Sequence, residues 1–230
     1  MKRIIALIAA LAMLEEHTGD AVWGELREQA QTSLVRHFLP TGCGHFSDCL
    51  HTAGFQPAAA AEADDHIRSN QLLAVTLGAL TAPDHAALVI RSSEQLLAPG
   101  AIRSLADRPV TYELPVRRNG ELLNDPRNPY RGRYEGPEDT SRKVAYHNGT
   151  AWLWPYPSFC EALYLLGGEA ARPRAASLLY AACRMADQLV PGFLSEIADG
   201  DAPHRGQGCP AQAWSMTEFC RVARLLEAEP

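Results

Sequence analysis

The chain has no surplus of basic charge. Its 21 Lys and Arg residues stand against 27 Asp and Glu, giving a net charge of −6 and a pI near 5.7. A nucleic-acid binder needs a basic patch or stripe, so that class of partner is excluded. It also lacks a Walker or Rossmann glycine signature, so no nucleotide cofactor is indicated, and no cofactor of any kind is expected. Internal repeats and low-complexity tracts are absent too. The six cysteines, at 43, 49, 160, 183, 209 and 220, are dispersed rather than paired, which argues against a disulfide framework. Those on helical apolar faces act as small hydrophobes, and the usage fits a reduced, cytoplasmic protein. Cys43, His45, Cys49 and His51 all fall on odd positions and would share one face of an extended strand. No second CxxC or HxxxH completes a ligand set, and no metal is expected there.

A membrane-spanning run is likewise missing. Residues 1–14, MKRIIALIAALAML, imitate a signal peptide, with two basic residues, an apolar run and an Ala10-Leu11-Ala12 pattern. The run is too short to cross a bilayer. It continues into Glu15, Glu16 and His17, then Thr18-Gly19-Asp20, which is how one amphipathic helix ends and the next is capped. The segment is therefore read as a structural helix, and no membrane partner is expected.

What is present is helical periodicity. At 230 residues and 47% hydrophobic, the chain can bury a sizeable core and is read as a single domain over 1–230. Val22, Trp23, Leu26, Ala30, Leu34, Val35 and Phe38 recur at i, i+3, i+4, so residues 20–39 form the second arm of a helical hairpin closed by Pro40. Residues 41–64 lose the period and read as a loop with a short hairpin. Helix resumes over 66–80, with 83–97 as its partner and Pro83 in the first turn. The 66–80 segment is apolar but opens with Arg68, Ser69, Asn70 and Gln71, polar groups that cap backbone or face a cavity. Residues 99–145 form a long charged connection, in which the Tyr130-Arg131-Gly132-Arg133-Tyr134 cluster is placed to reach over a pocket. Helices follow over 150–166 and 169–189, antiparallel across Gly167-Gly168, and over 211–226.

Two stretches carry chemistry. GFLSEIADGDAPHRGQGCPAQAW, residues 192–214, crowds Glu196, Asp199 and Asp201 into a glycine-rich loop between helices, the kind of irregular loop that usually exists for function. YHNGTAWLWPYPSF, residues 146–159, sets Trp152, Trp154 and Tyr156 after a polar turn, with Thr150 as a helix cap. Aromatic rings beside hydrogen-bonding groups suit a sugar, whose C–H faces stack while its hydroxyls need polar partners. The competing reading of Trp152 and Tyr156, four residues apart, is a core stripe on one helix.

YHNGTAWLW at 146–154, SEIADGD at 195–201 and GCPAQAWSMTE at 208–218 resemble the C-terminal amylo-α-1,6-glucosidase domain of glycogen debranching enzymes. DDHIRSNQLLAVTL at 64–77 and AIRSLAD at 101–107 extend the likeness in the same order. The resemblance implies an all-α fold, the C-terminal portion of an (α/α)6 toroid, incomplete here because about seven helices cannot make twelve. Its partners would be an α-glucan, glycogen or limit dextrin, and the missing N-terminal barrel helices. It implies that Glu196 is the general base of an inverting hydrolysis, the general acid being an upstream Asp that no residue here inherits. His147, Asn148, Thr150, Trp152, Trp154, Gln212 and Trp214 would line the glucose pocket together with Arg68, Asn70 and Gln71, and Asp199 and Asp201 would shape the loop. Leu153 departs from the family pattern, which commonly has Pro there, and leaves the tilt of the two rings open. The alternatives are a catalytically silent carbohydrate-binding or scaffolding remnant, and a glucoamylase-like or trehalase-like glycosidase.

Overall fold

The computed structural model describes residues 1–227. Its elements in order are α1 (Lys2–Thr18), α2 (Ala21–Phe38), β1 (Leu50–His51), β2 (Glu62–Ala63), α3 (Leu72–Thr76), α4 (Pro83–Glu94), β3 (Leu97–Ala98) and β4 (Ala101–Arg103). Then come β5 (Arg117–Arg118), β6 (Glu121–Leu122), α5 (Lys143–Ala145), β7 (Ala151–Trp152), α6 (Tyr156–Ala181), β8 (Ile197–Ala198), β9 (Gly206–Gln207) and α7 (Ala213–Glu227). The class is all-α: helices supply most of the core, and each strand is only two or three residues long.

The opening hairpin follows from its sequence. α1 stops where Gly19 takes a left-handed φ of 68° and returns its N–H to the Glu15 carbonyl. One residue later Asp20 caps α2, accepting a bond from the Val22 amide at 3.0 Å. Ile5, Ile8 and Leu34 fill the seam and meet Ala74 and Ala79 beneath it. Full burial of such a side chain stabilises by about 1.5–3 kcal/mol each.

The larger core joins α3, α4, α6 and α7 through Leu72, Val89, Ile90, Phe159, Leu179 and Val222. α6 folds back on itself at Gly168, whose φ of 56° and ψ of −145° no α-helix contains. Tyr156 at its start donates to the Leu178 carbonyl at 2.7 Å, so the two arms run antiparallel as expected across Gly167-Gly168.

The structure corrects three local expectations. First, Thr150 does not cap the following helix. It is buried, its hydroxyl donates to the Tyr146 carbonyl at 2.6 Å, and the chain continues as β7. The helix begins only at Tyr156, directly after Pro155, a residue type that disfavours helical conformation in the residue before it. Trp152 and Tyr156 therefore do not share a helix. Second, the helix expected over 66–80 shrinks to a 3-10 turn, Ser69–Gln71, followed by the short α3, which ends beside Gly78 at φ 66°. Third, the second arm of α6 ends at Ala181, where expectation carried it to 189. Residues 41–64 form, as expected, a loop with a short hairpin, β1 pairing antiparallel with β2, and of Cys43, His45, Cys49 and His51 only His51 lies in a strand. Among the described residues no group of three or more His, Cys, Asp and Glu side chains is arranged to hold a metal ion.

A further finding is a small antiparallel sheet in the order β3-β4-β7-β8-β9. Its register pairs Ile102 with Trp152, Trp152 with Ile197, and Ala198 with Gly206. Strands this short have no period to read, yet they pin together the loops that carry the chemistry.

Candidate functional site

A cavity of ≈ 470 Å³ opens beside this sheet, between an aromatic wall from the C-terminal half and a polar wall from the N-terminal half. On the aromatic side Trp154 and Trp214 stack, ring centroids 3.9 Å apart and planes within 16°. Trp214 stands in the first turn of α7 with half its surface open, while Trp154 follows β7. Next to them His147 stacks on Trp152 at 5.3 Å and 8°. Trp152 is held by the sheet and by its indole N–H, which donates to the Tyr146 carbonyl at 3.1 Å. Desolvation in the cavity and the nearby charges of Arg68 and Lys2 hold the His147 imidazole below its ordinary pKa, against the opposing pull of Glu196.

Arg68 organises the polar wall. Its guanidinium donates to the carbonyls of Ser104 at 3.1 Å and His147 at 2.5 Å and to Asn148 Oδ1 at 3.1 Å. Its Nε lies 3.8 Å from Asp48 Oδ2. Burial lowers its pKa, and the carboxylates of Asp48 and Asp64 oppose that shift. Asn70 donates to Asp48 Oδ1 at 2.8 Å.

Asp64 is buried and accepts from the amides of Asp48 at 2.8 Å and Cys49 at 3.0 Å. It also faces His66 Nδ1 at 3.3 Å and His51 Nε2 at 3.4 Å. Burial pushes its carboxyl up, but the bonds from His66 and the backbone outweigh that and leave it below the usual range. The other nitrogen of His66 meets the Tyr112 carbonyl at 2.8 Å. Both ring nitrogens of His66 thus face acceptors, which favours the doubly protonated ring. Its pKa is raised despite the opposing effect of burial.

Glu196, immediately before β8, is half-buried and does not line the cavity. Its Oε1 accepts from the Tyr146 hydroxyl, and its Oε2 accepts from the Cys209 amide at 3.0 Å. The Tyr146 ring packs 5.0 Å from Trp152 and 4.6 Å from His147, so it stands between Glu196 and the aromatic wall. Burial, then the bond to Glu196, push the Tyr146 phenol well above its ordinary pKa.

The expected site residues therefore divide. Arg68, Asn70, His147, Trp152, Trp154 and Trp214 come together at the cavity. Gln71 is buried elsewhere, its oxygen accepting from the Phe46 amide and the Ser92 hydroxyl. Asn148 is buried and spent on Arg68 and the Val144 carbonyl, and Thr150 is buried against Tyr146. Gln212 accepts from the Ser215 hydroxyl. Asp199 is buried and accepts from the Tyr134 amide at 2.8 Å, and Asp201 accepts from the Tyr130 hydroxyl at 2.8 Å. Asp201 faces a second hollow of ≈ 850 Å³, shared with Arg131 and Arg133 from the 130–134 cluster. That cluster packs tightly only because its neighbours are glycines. A Cβ on Gly200 would lie 2.0 Å from the Gly149 carbonyl oxygen, and one on Gly149 2.2 Å from the Arg131 carbonyl oxygen.

Asp48, Asp64, His66 and Tyr146 were not singled out from sequence. Asp48 sits in an aperiodic loop and gave no signal. The Asp64-Asp65 pair and Tyr146 were visible only as letters inside larger motifs.

A family model described as Amylo-alpha-1,6-glucosidase matches residues 2–221 of the chain. No curated protein matches it.

Proposed function

We propose, from the premise that the chain belongs to the amylo-alpha-1,6-glucosidase family, that the cavity takes a glucosyl unit of an α-glucan at an α-1,6 branch. The observation that carries this is the facing of the two walls. Stacked rings at Trp154–Trp214 and His147–Trp152 suit the apolar faces of a sugar, and Arg68, Asn70 and Asp48 suit its hydroxyls.

In the proposed reaction Glu196 accepts a proton from water while the water oxygen attacks the anomeric carbon. The bond to the glucan oxygen breaks, that oxygen takes a proton from a general acid, and the configuration inverts. Tyr146 and the Cys209 amide keep the Glu196 carboxylate oriented. The acid's role is assigned to no residue here: Asp64 is surrounded by four donors, and Asp48 lies beside the Arg68 charge. The glucan would also need the rest of a toroid. Leu7, Met13, Leu14, Val22 and Leu26 of the opening hairpin are exposed and offer an apolar surface for further helices.

The test is hydrolysis of an α-1,6-linked glucoside by wild-type and Glu196→Gln protein, each completed with the N-terminal barrel helices that would supply the general acid. Loss of the base should lower kcat by about 10²–10⁴-fold, with glucoside affinity nearly unchanged. Near-normal turnover in the variant would sink the assignment. One observation favours the second reading, a silent carbohydrate-binding domain: both oxygens of Glu196 are already bonded, and the residue lies outside the cavity. On that reading wild-type protein binds the glucoside without turning it over.

A further inference from the structure

We propose that Asp48 is the specificity-determining residue of the cavity, the group that accepts hydrogen bonds from the hydroxyls of the bound glucosyl unit. The proposal rests on the cavity being a glucoside site. Asp48 and Asp64 both reach the polar wall, and their surroundings assign them different work. Asp64 has 2% of its side chain exposed and four donors around it, so it has nothing left to offer a ligand. Asp48 keeps 17% of its side chain open. Its Oδ1 accepts one bond from Asn70 at 2.8 Å. The neighbours of Oδ2 are Arg68 Nε at 3.8 Å and Cys49 Sγ at 3.9 Å, too far to fill its lone pairs.

Glu113, the third carboxylate at the cavity, is paired with Arg127 at 3.1 Å. Arg68 has no acceptor atom and spends its donors on Ser104, His147 and Asn148. The open oxygen of Asp48 is thus a charged acceptor in a partly desolvated cavity, and a sugar hydroxyl is the donor that fits it. An O–H···O⁻ bond of this kind is about twice as strong as one between neutral partners. The carboxylate is also held in place beforehand, because the Asp48 amide is tied to Asp64 Oδ1 and its Oδ1 to Asn70. The same charge disfavours a carboxylate at the position Asp48 reads.

The experiment measures the affinity of isomaltose and its monodeoxy analogues by calorimetry, for wild-type, Asp48→Asn and Trp214→Ala proteins. Asp48→Asn is expected to weaken isomaltose about ten- to a hundredfold. One deoxy analogue should lose a similar factor on wild-type protein and show no additional loss on Asp48→Asn, which identifies the hydroxyl read. If Asp48→Asn melts below the working temperature, Asp48→Glu keeps the charge but moves the oxygens by one methylene, and the same pattern is expected. Isomaltose bound equally by wild-type and the Asp48 variants, but lost in Trp214→Ala, would overturn the proposal and leave the glucoside site standing. A folded wild-type protein that binds no isomaltose would overturn both.

Discussion

The aromatic and polar walls of the cavity are built in opposite ways. Trp154 and Trp214 stack on each other, Trp214 half-exposed in the first turn of α7 and Trp154 partly buried in the turn after β7. The polar wall is a lattice of bonds between distant segments: Arg68 reaches His147 and Asn148, 79 and 80 residues away, and Asp64 gathers Asp48, Cys49, His51 and His66. The first wall contributes contact surface at little risk to the fold. The second contributes acceptors and donors, but each member supports the others, so stability and binding are joined there.

The sharpest way to break this contrast is Arg68→Met. It leaves the Ser104 and His147 carbonyls and Asn148 Oδ1 without their donor and Asp48 without its counter-charge. A loss of about 3–5 kcal/mol in urea denaturation is expected. A loss under about 1 kcal/mol would mean that the lattice does not act as a unit.

Asp64→Asn should follow, at about 2–3 kcal/mol, and it sharpens the comparison through pH. Asp64 titrates below its ordinary value in the folded protein, so its contribution is complete above the unfolded value and fades as pH falls through the folded one. His66 titrates above its ordinary value, so its contribution is complete below the unfolded value and fades as pH rises through the folded one. The stability contributed by this pair should therefore be greatest between about pH 4 and 6.5. Denaturation curves at acidic, mildly acidic and alkaline pH would show the difference between wild-type and Asp64→Asn protein peaking in that window.

Gly200→Ala is expected to destabilise by about 1–3 kcal/mol, since its Cβ would meet the Gly149 carbonyl oxygen at 2.0 Å. A thermal melt unchanged from wild type would show that the backbone at Gly149 can move aside without loss. The smallest stability effect belongs to the aromatic wall. Trp214→Ala removes a half-exposed ring and should change stability by less than about 1 kcal/mol. It should nonetheless weaken glucoside binding roughly tenfold. A large loss of stability there would erase the distinction between the walls.

How much of this was legible follows the same division. The hairpin of α1 and α2 could be read because Gly19 and Asp20 act on groups within four positions of themselves. The fold-back of α6 could be read from Gly167-Gly168. The Trp positions stood out by residue type. By contrast, Thr150 has the composition of a cap, and only the structure shows its hydroxyl turned back to Tyr146 ahead of a two-residue strand. Gln71 and Asn70 are adjacent in a polar run, yet one points into the core and the other into the cavity.

By itself the sequence determined the helical class, the hairpin order, the family and the aromatic candidates, because periodicity, caps and turn glycines act over a few residues, where the chain's own geometry decides. Only the tertiary structure decided that Asp48 is open and Asp64 saturated, that Tyr146 stands between Glu196 and the cavity, and that short strands join 97–103 to 151–152 and 197–207. Those outcomes depend on which distant donor reaches a given oxygen first, and no local pattern of residues encodes that.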